Sequence, residues 1–374
     1  METYKQLIPF IQEVEKIKTI IFANTVYQLF LAINMQFQEV IQGETDIVLS
    51  DHTASLRSYQ HSLEESGLFR RVMYVESLKR IKGFWKVPAE HRQEAFGALI
   101  KEASQGEIRF QCYNKLFTAN FNPYINAIYA ANPHLEVCFY EDGASVCSVD
   151  WRKSFQIYGK IPGFMDIFDH VTGLYINSPE LMCVELGWPI IQLPKINKND
   201  PEIRGLYDSV FQYDGSFHFP PFVFVEQSFQ VDGVINNDLD FMRVASEIVG
   251  YDHFLVKTHP RNTVNRPVNL GYSRKTDCVL PFELLLLNSK PDETVFITVS
   301  STSLISPWVL FGEKRRTILL YRAVSGGINI PVIDKYDEYL DKFVDHYACR
   351  ELIVPNSINE YKKVLKELVA RGRQ

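Results

Sequence analysis

An apolar run at residues 254–258, Phe-Leu-Val-Lys-Thr, stops at His259-Pro260. Proline offers no backbone N–H and drives the residue before it into an extended conformation. The pattern predicts a buried strand that ends abruptly and holds His259 at its carboxyl edge. In open α/β sheets that edge is where ligands bind. Two other apolar runs end in the same way. Residues 295–299 lead into Ser300-Ser301-Thr302-Ser303, and residues 135–140 into Glu141-Asp142-Gly143. An imidazole, a hydroxyl cluster and a carboxylate, each at a strand end, predict an α/β fold with one shared cleft.

The chain has the material for such a fold. Its 374 residues, 46% of them hydrophobic, are enough for two domains, each with its own core. A net charge of −6 argues against nucleic acid as the main partner, since domains that bind it are usually basic. The six cysteines (Cys112, Cys138, Cys147, Cys183, Cys278 and Cys349) form no C-x-x-C pair and have no histidine at zinc spacing, so they read as reduced thiols. The first residues carry acidic side chains and no signal-peptide core. No apolar run reaches the roughly 18 residues of a membrane span. The expected location is cytoplasmic.

Taken in order, residues 1–17 read as a polar helix or arm, and 18–23 as a short buried strand. Asn24-Thr25 then stands where a helix cap belongs, and Gln28, Leu29, Leu31, Ala32 and Met35 recur at helical spacing. This is the β-loop-α opening of a doubly wound domain. Strands are predicted at 46–50 and 71–75, helices at 54–65, 90–104 and 122–131, and a strand or two within 108–117. Residues 70–86 are locally basic and include Phe84 and Trp85. They form either a solvated face or a contact for an acidic acceptor or an anionic membrane surface. Residues 151–196 are punctuated by prolines and read as less regular, with a turn-rich connection at 194–204.

A second α/β series follows. It has a strand at 222–226 with Gln227-Ser228-Phe229 after it, a helix at 239–248, a helix at 283–288 behind Pro281, a helix at 304–311 and a strand at 316–321. Residues 358–370 form an amphipathic terminal helix. Its basic face (Lys362, Lys363, Lys366, Arg371 and Arg373) meets either water or anionic lipid. The expected division is 1–195, 196–356 and the terminal helix 357–374.

The hydroxyl cluster lies between a strand and a helix start, where free N–H groups and a partial positive charge favour anions. Plain N-capping needs only one of the four hydroxyls, so their number favours a phosphate. An imidazole at His259 could donate a hydrogen bond or a proton as charge builds on a leaving group. Gly143 permits the tight turn that leaves Glu141 and Asp142 at a strand tip, with Asp142 as general base on an acceptor hydroxyl. Glu283 is placed either for ribose hydroxyls or simply for the helix dipole. The chain has no Gly-rich phosphate loop and no clustered Asp-x-Asp. A phosphate held by hydroxyls, helix dipole and imidazole requires no divalent ion, so neither metal nor cofactor is expected.

These residues resemble a family. Glu141-Asp142-Gly143, Lys257-Thr258-His259-Pro260 and Ser300-Ser301-Thr302 follow the order and approximate spacing of the acid-acid-Gly, His-Pro and Ser-Ser/Thr motifs of bacterial sialyltransferases. Asn24-Thr25-Val26-Tyr27-Gln28-Leu29 is similar to the Thr-Pro-Tyr/Phe-Gln opening of glycosyltransferase family 52 and its capsular polysialyltransferase relatives, with Val26 where proline is usual. Pro281-Phe282-Glu283 resembles the family's Pro-x-Glu element. The resemblance covers about residues 18–312. It implies two Rossmann-like domains facing a central cleft, the GT-B type, and an inverting, metal-independent transfer from CMP-sialic acid to a glycan hydroxyl. Such a reaction serves surface polysaccharide or lipooligosaccharide synthesis at the inner face of the plasma membrane. By position it makes Asp142 the base and His259 the group that meets the departing phosphate. Ser300, Ser301 and Thr302 would hold that phosphate, flanked by Lys257 and Pro260, with Glu283 on the ribose. Asn24, Thr25, Gln28, Glu141 and Gly143 would lie near the donor sugar and acceptor.

Other readings keep the fold and change the chemistry: a UDP-sugar glycosyltransferase, a polymerase using CDP-glycerol, or a UDP-sugar 2-epimerase that needs no acceptor. A catalytically dead scaffold is poorly served by an intact acid, imidazole and hydroxyl set. Acceptor, linkage and oligomeric state, monomer or homodimer, are not legible in the sequence.

Overall fold

The computed structural model describes residues 18–151, 164–229, 231, 233–234, 237–259, 261–262, 264–274, 280–290, 293–325 and 335–372. The arm at 1–17, Pro260, Cys278 and Arg373 lie outside the described residues.

Twelve strands form two parallel sheets. The first sheet is built from β1 (Lys18–Ala23), β2 (Glu44–Ser50), β3 (Arg71–Val75), β4 (Lys115–Thr118), β5 (Glu136–Tyr140), β6 (Val171–Ile176) and β7 (Ile190–Gln192), in the order β3-β2-β1-β4-β5-β6-β7. The second holds β8 (Phe222–Val225), β9 (Phe254–Lys257), β10 (Val295–Thr298), β11 (Thr317–Leu319) and β12 (Leu352–Ile353), in the order β12-β11-β10-β8-β9. Every pairing in both is parallel. Parallel strands are covered by helices on both faces, which is why their sequences are continuous apolar runs. Phe222–Val225 and Val295–Thr298 are buried throughout. Strand order reverses between β1 and β4 in one sheet and between β8 and β10 in the other. Each reversal opens a crevice at the carboxyl ends of its strands.

Local signals set the helix starts. Thr25 Oγ1 accepts from the Gln28 N–H and caps helix Val26–Phe37. Asn122 accepts from Tyr124 and Ile125 N–H, with Pro123 at the first helical position, where its missing N–H costs nothing.

The lobes are joined along a broad front. Tyr207, in helix Pro201–Val210, stacks on Phe30 at 4.1 Å and donates to the Phe30 carbonyl at 2.9 Å. Ile196 N–H bonds Leu310 O at 2.8 Å, and Lys195 Nζ reaches Val309 O at 2.8 Å. From the second lobe, helix Tyr336–His346 lies against the first: Lys335 and Lys342 each donate at 2.6 Å, to Cys183 O and Met182 O. The terminal helix Ile358–Gly372 packs on helix Asp238–Val249, with the Tyr361 ring 5.7 Å from Phe241.

Residues 151–196, expected to be less regular, supply β6 and β7 within their described part. Gly173 interrupts the β6 pattern because a Cβ there would lie 2.7 Å from Ile191 Cδ1 on β7. The basic stretch holds helix Ser77–Lys86, and its charges are mostly exposed, as the solvated-face reading has it, with four of them paired. Arg70 and Arg71 share Asp46, Lys79 pairs with Glu76, and Arg80 pairs with Glu102. Residues 54–65 begin as the 3-10 turn Ala54–Tyr59 before becoming helix Gln60–Glu65. The strand or two expected within 108–117 is one, β4, preceded by the 3-10 turn Phe110–Cys112.

Candidate functional site

The site is built from the carboxyl ends of β1 and β5 on one lobe and of β8, β9 and β10 on the other. Asn24 and Gln28 at the end of β1 are buried and face inward. Gln28 Oε1 accepts from Asn24 N–H at 2.7 Å, and Asn24 Oδ1 from Ser50 Oγ at 2.7 Å. This turn holds Thr25 Oγ1 3.5 Å from Asp142 Oδ1 across the sheet. Asn24, Thr25 and Gln28 therefore brace the acid turn. Burial raises the Asp142 carboxyl above its ordinary value, and hydrogen bonds from Gln28 and Thr25 offset part of that rise. A half-buried carboxylate of raised pKa suits a general base working near neutrality.

Glu141 has a different environment. It is buried, accepts from Tyr27 OH at 2.5 Å and from Asn177 N–H at 2.7 Å, and is likewise raised by burial, with those bonds opposing. It fixes the strand tip from behind. Gly143 has φ +71°, which only glycine adopts without strain. It also packs against the other lobe: a Cβ there would stand 3.4 Å from Thr302 Oγ1. The acid turn and the hydroxyl cluster thus meet face to face.

On the second lobe, Gln227 at the end of β8 links the motifs. Its Oε1 accepts from both Ser300 N–H (3.1 Å) and Ser300 Oγ (2.8 Å), and its carbonyl accepts from Asn262. His259 N–H donates to Glu226 at 3.2 Å, and His259 Nδ1 accepts from Arg261 N–H at 3.1 Å. That acceptor role puts the proton of a neutral imidazole on Nε2, the donor form. His259 after β9 and Ser300 after β10 thus flank β8, each bonded to one of its consecutive end residues Glu226 and Gln227. Ser300 is fully buried and its hydroxyl is committed to Gln227, so it shapes the turn. Ser301 is barely exposed, makes no capping bond with its side chain, and precedes the 3-10 turn Thr302–Leu304, which leads into helix Ser306–Phe311. This break replaces the single helix expected over 304–311.

Glu283 opens helix Phe282–Asn288 and is buried, which raises its pKa; Lys257 and Ser306 oppose the rise. Glu141, Gly143, Thr302 and Ser306 line a cavity of about 20 Å³ together with Tyr27 and Tyr339. That space fits a water molecule and not a sugar nucleotide. A gap of nucleotide width is not present at this point of contact.

Several residues of the site had no role in the sequence reading: Tyr27, Gln227, Ser306, Tyr336 and Tyr339. Tyr336 OH donates to the Ser300 carbonyl at 2.5 Å, from a helix that also bridges the lobes. Tyr336, Tyr339, Leu340 and Phe343 recur at helical spacing and are all buried, which was the available signal.

No family model matches the sequence, and no curated protein matches it. Solved structures are similar to it. The S. aureus MnaA-UDP co-structure aligns over 96% of this chain and 89% of its own, with a TM-score of 0.51 at 9% identity. Phytolacca americana UGT2, complexed with UDP-2fluoro-glucose and pterostilbene, aligns over 96% and 91% (TM-score 0.49, 13% identity). The UDP-N-acetylglucosamine 2-epimerase from Rickettsia bellii aligns over 95% and 96% (TM-score 0.43, 12% identity). The fold is the GT-B arrangement of two Rossmann-like domains.

Proposed function

We propose that the chain is a glycosyltransferase that moves a sugar from a nucleotide donor to a glycan hydroxyl. The observation that carries this reading is the contact between lobes at Gly143 and Thr302. It brings the turn that carries the braced acid against the hydroxyl cluster at Thr302, and the reading adds the His259 imidazole at the end of the neighbouring strand β9. In the reaction Asp142 takes the proton of the acceptor hydroxyl. That oxygen bonds the anomeric carbon as the bond from this carbon to the donor phosphate breaks, with inversion. The electron pair leaves on the phosphate, where Ser301, Thr302 and the His259 Nε2–H stabilise the charge. Glu283 is assigned to the ribose and Lys257 to the nucleotide. No metal has a part in these steps.

The donor is CMP-sialic acid on the strength of the three motifs alone; none of the structures compared above names CMP or sialic acid. A second reading, a UDP-sugar donor in transfer or 2-epimerisation, is favoured by the overall likeness to a protein solved with UDP. The test is a screen of CMP-sialic acid and UDP-sugars, with and without glycans ending in galactose, N-acetylgalactosamine or sialic acid, read by mass spectrometry. Sialylated product supports the first reading. A transferred or epimerised UDP-sugar supports the second, and an unchanged donor in every arm refutes both.

A further inference from the structure

A second cavity, about 490 Å³, lies in the first lobe and shares no lining residue with the one at Glu141 and Thr302. It runs along β3, the end strand of its sheet, from Arg71 to Glu76. One wall comes from the β2–β3 connection, with Arg57 and Gln60. The other comes from the β3–β4 connection and the following helix, with Arg80 and Tyr124. Right-handed crossovers running outward to β3 and then back to β4 put these walls on opposite faces of the sheet. The volume falls in the range of small-ligand sites, roughly 300–1,000 Å³.

Its chemistry is specific. Arg57 is exposed, forms no ion pair among the described residues, and holds its guanidinium 4.9 Å from the centre of the Tyr74 ring. Arg71 shares Asp46 with Arg70, two guanidiniums on one carboxylate, and its side chain remains 55% exposed. The pocket's acids are mostly committed: Glu76 pairs with Lys79 and Glu102 with Arg80, while Glu107 is exposed and forms no ion pair among the described residues. The strand edge itself is partly covered, since Gln60 Nε2 lies 3.5 Å from Val72 O, so it is a poor template for another β-strand. What remains open is the Arg57 guanidinium, together with the one Arg71 nitrogen that neither Asp46 nor Tyr113 holds, both suited to a carboxylate, beside the Tyr74 ring, whose face away from Arg57 is suited to sugar ring carbons.

We propose that this pocket binds a carboxylate-bearing oligosaccharide, with its acidic group on Arg57 and Arg71 and a ring against Tyr74. It is a glycan subsite apart from the transfer centre, placed to hold a distant part of an acidic acceptor. The choice of a glycan rests on the transferase reading; the binding itself needs no turnover.

The experiment is calorimetric titration of the full chain and of Arg57→Ala with tetragalacturonate, maltotetraose and inorganic sulfate, and separately with CMP and UDP. Tetragalacturonate is expected to bind at least tenfold tighter than maltotetraose or sulfate, and Arg57→Ala to weaken it at least tenfold. Nucleotide binding is expected to be equal in the two proteins. The proposal is overturned if tetragalacturonate does not bind, binds no better than maltotetraose or sulfate, or binds Arg57→Ala as well as the original chain. Loss of nucleotide binding from both proteins would instead count against the transferase reading and leave the pocket standing.

Discussion

Thr25 Oγ1 lies 3.5 Å from Asp142 Oδ1, and through this approach a helix cap at the end of β1 steadies the acid at the end of β5. The relation has a measurable consequence. Thr25 lowers the Asp142 pKa against the dominant effect of burial. Thr25→Val should therefore raise that pKa further and move the acid limb of the kcat/KM profile to higher pH. Asp142→Asn should remove the limb and lower transfer by about 10²–10⁴. A pH–rate series on both variants checks this. An unmoved limb in Thr25→Val would assign it to another group.

His259 acts on the other side of the bond that breaks. His259→Ala should reduce kcat by about 10² or more and also weaken nucleotide binding, because the same Nε2–H meets the phosphate before and during transfer. Single-turnover kinetics alongside equilibrium binding separates the two effects.

Gly143 has a φ of +71° and Gly67 a similar φ of +65°, with open space around Gly67 and ordinary contact distance, 3.4 Å, from a Cβ at Gly143 to Thr302 Oγ1. Gly67→Ala and Gly143→Ala should therefore each cost about 1 kcal/mol from backbone conformation. Only Gly143→Ala should also lower transfer, because the strain falls on the turn that carries Asp142. Denaturant titration and a transfer assay of the two variants check this.

Asp46 tests the fold away from the site. Burial alone would raise its carboxyl, but hydrogen bonds from Arg70, Tyr113 and Arg71 outweigh burial and hold it below the ordinary value. A lowered folded pKa contributes stability that is present above the unfolded value, about 3.9, and is lost as pH falls through the folded one. Asp46→Asn should cost about 2 kcal/mol at pH 7, with the exposed arginines limiting the loss. The penalty should shrink steadily below about pH 4. Paired unfolding curves at pH 7 and pH 3 measure it.

The proposed phosphate site uses hydroxyls and an imidazole. Excess chelator should leave turnover unchanged; restoration of a lost activity by added Mg²⁺ would contradict the assignment.

The sequence revealed the strands whose apolar runs end in polar groups, because burial on both faces removes alternation and leaves a clear signal. Phe222–Val225, Phe254–Lys257 and Val295–Thr298 are of this kind. It concealed β6, where Gly173 breaks the pattern for the sake of packing on β7. At the site, residue types at strand ends were readable, but their division of labour was not. Nothing in Glu141-Asp142 says that the first is tied to Tyr27 and Asn177 while the second meets Thr25. Nor does Ser300-Ser301-Thr302 say that Ser300 is taken by Gln227, a partner 73 residues away in the chain. Such roles depend on contacts between distant segments, which local pattern does not encode.

The most direct test is calorimetric titration of CMP, CDP and UDP into the original chain, His259→Ala and Asp142→Asn. One nucleotide should bind the original chain best, His259→Ala should weaken it at least tenfold, and Asp142→Asn should leave it unchanged. If no nucleotide binds, or if His259→Ala binds as well as the original chain, the β8–β10 crevice is not a nucleotide site and the proposed transfer fails.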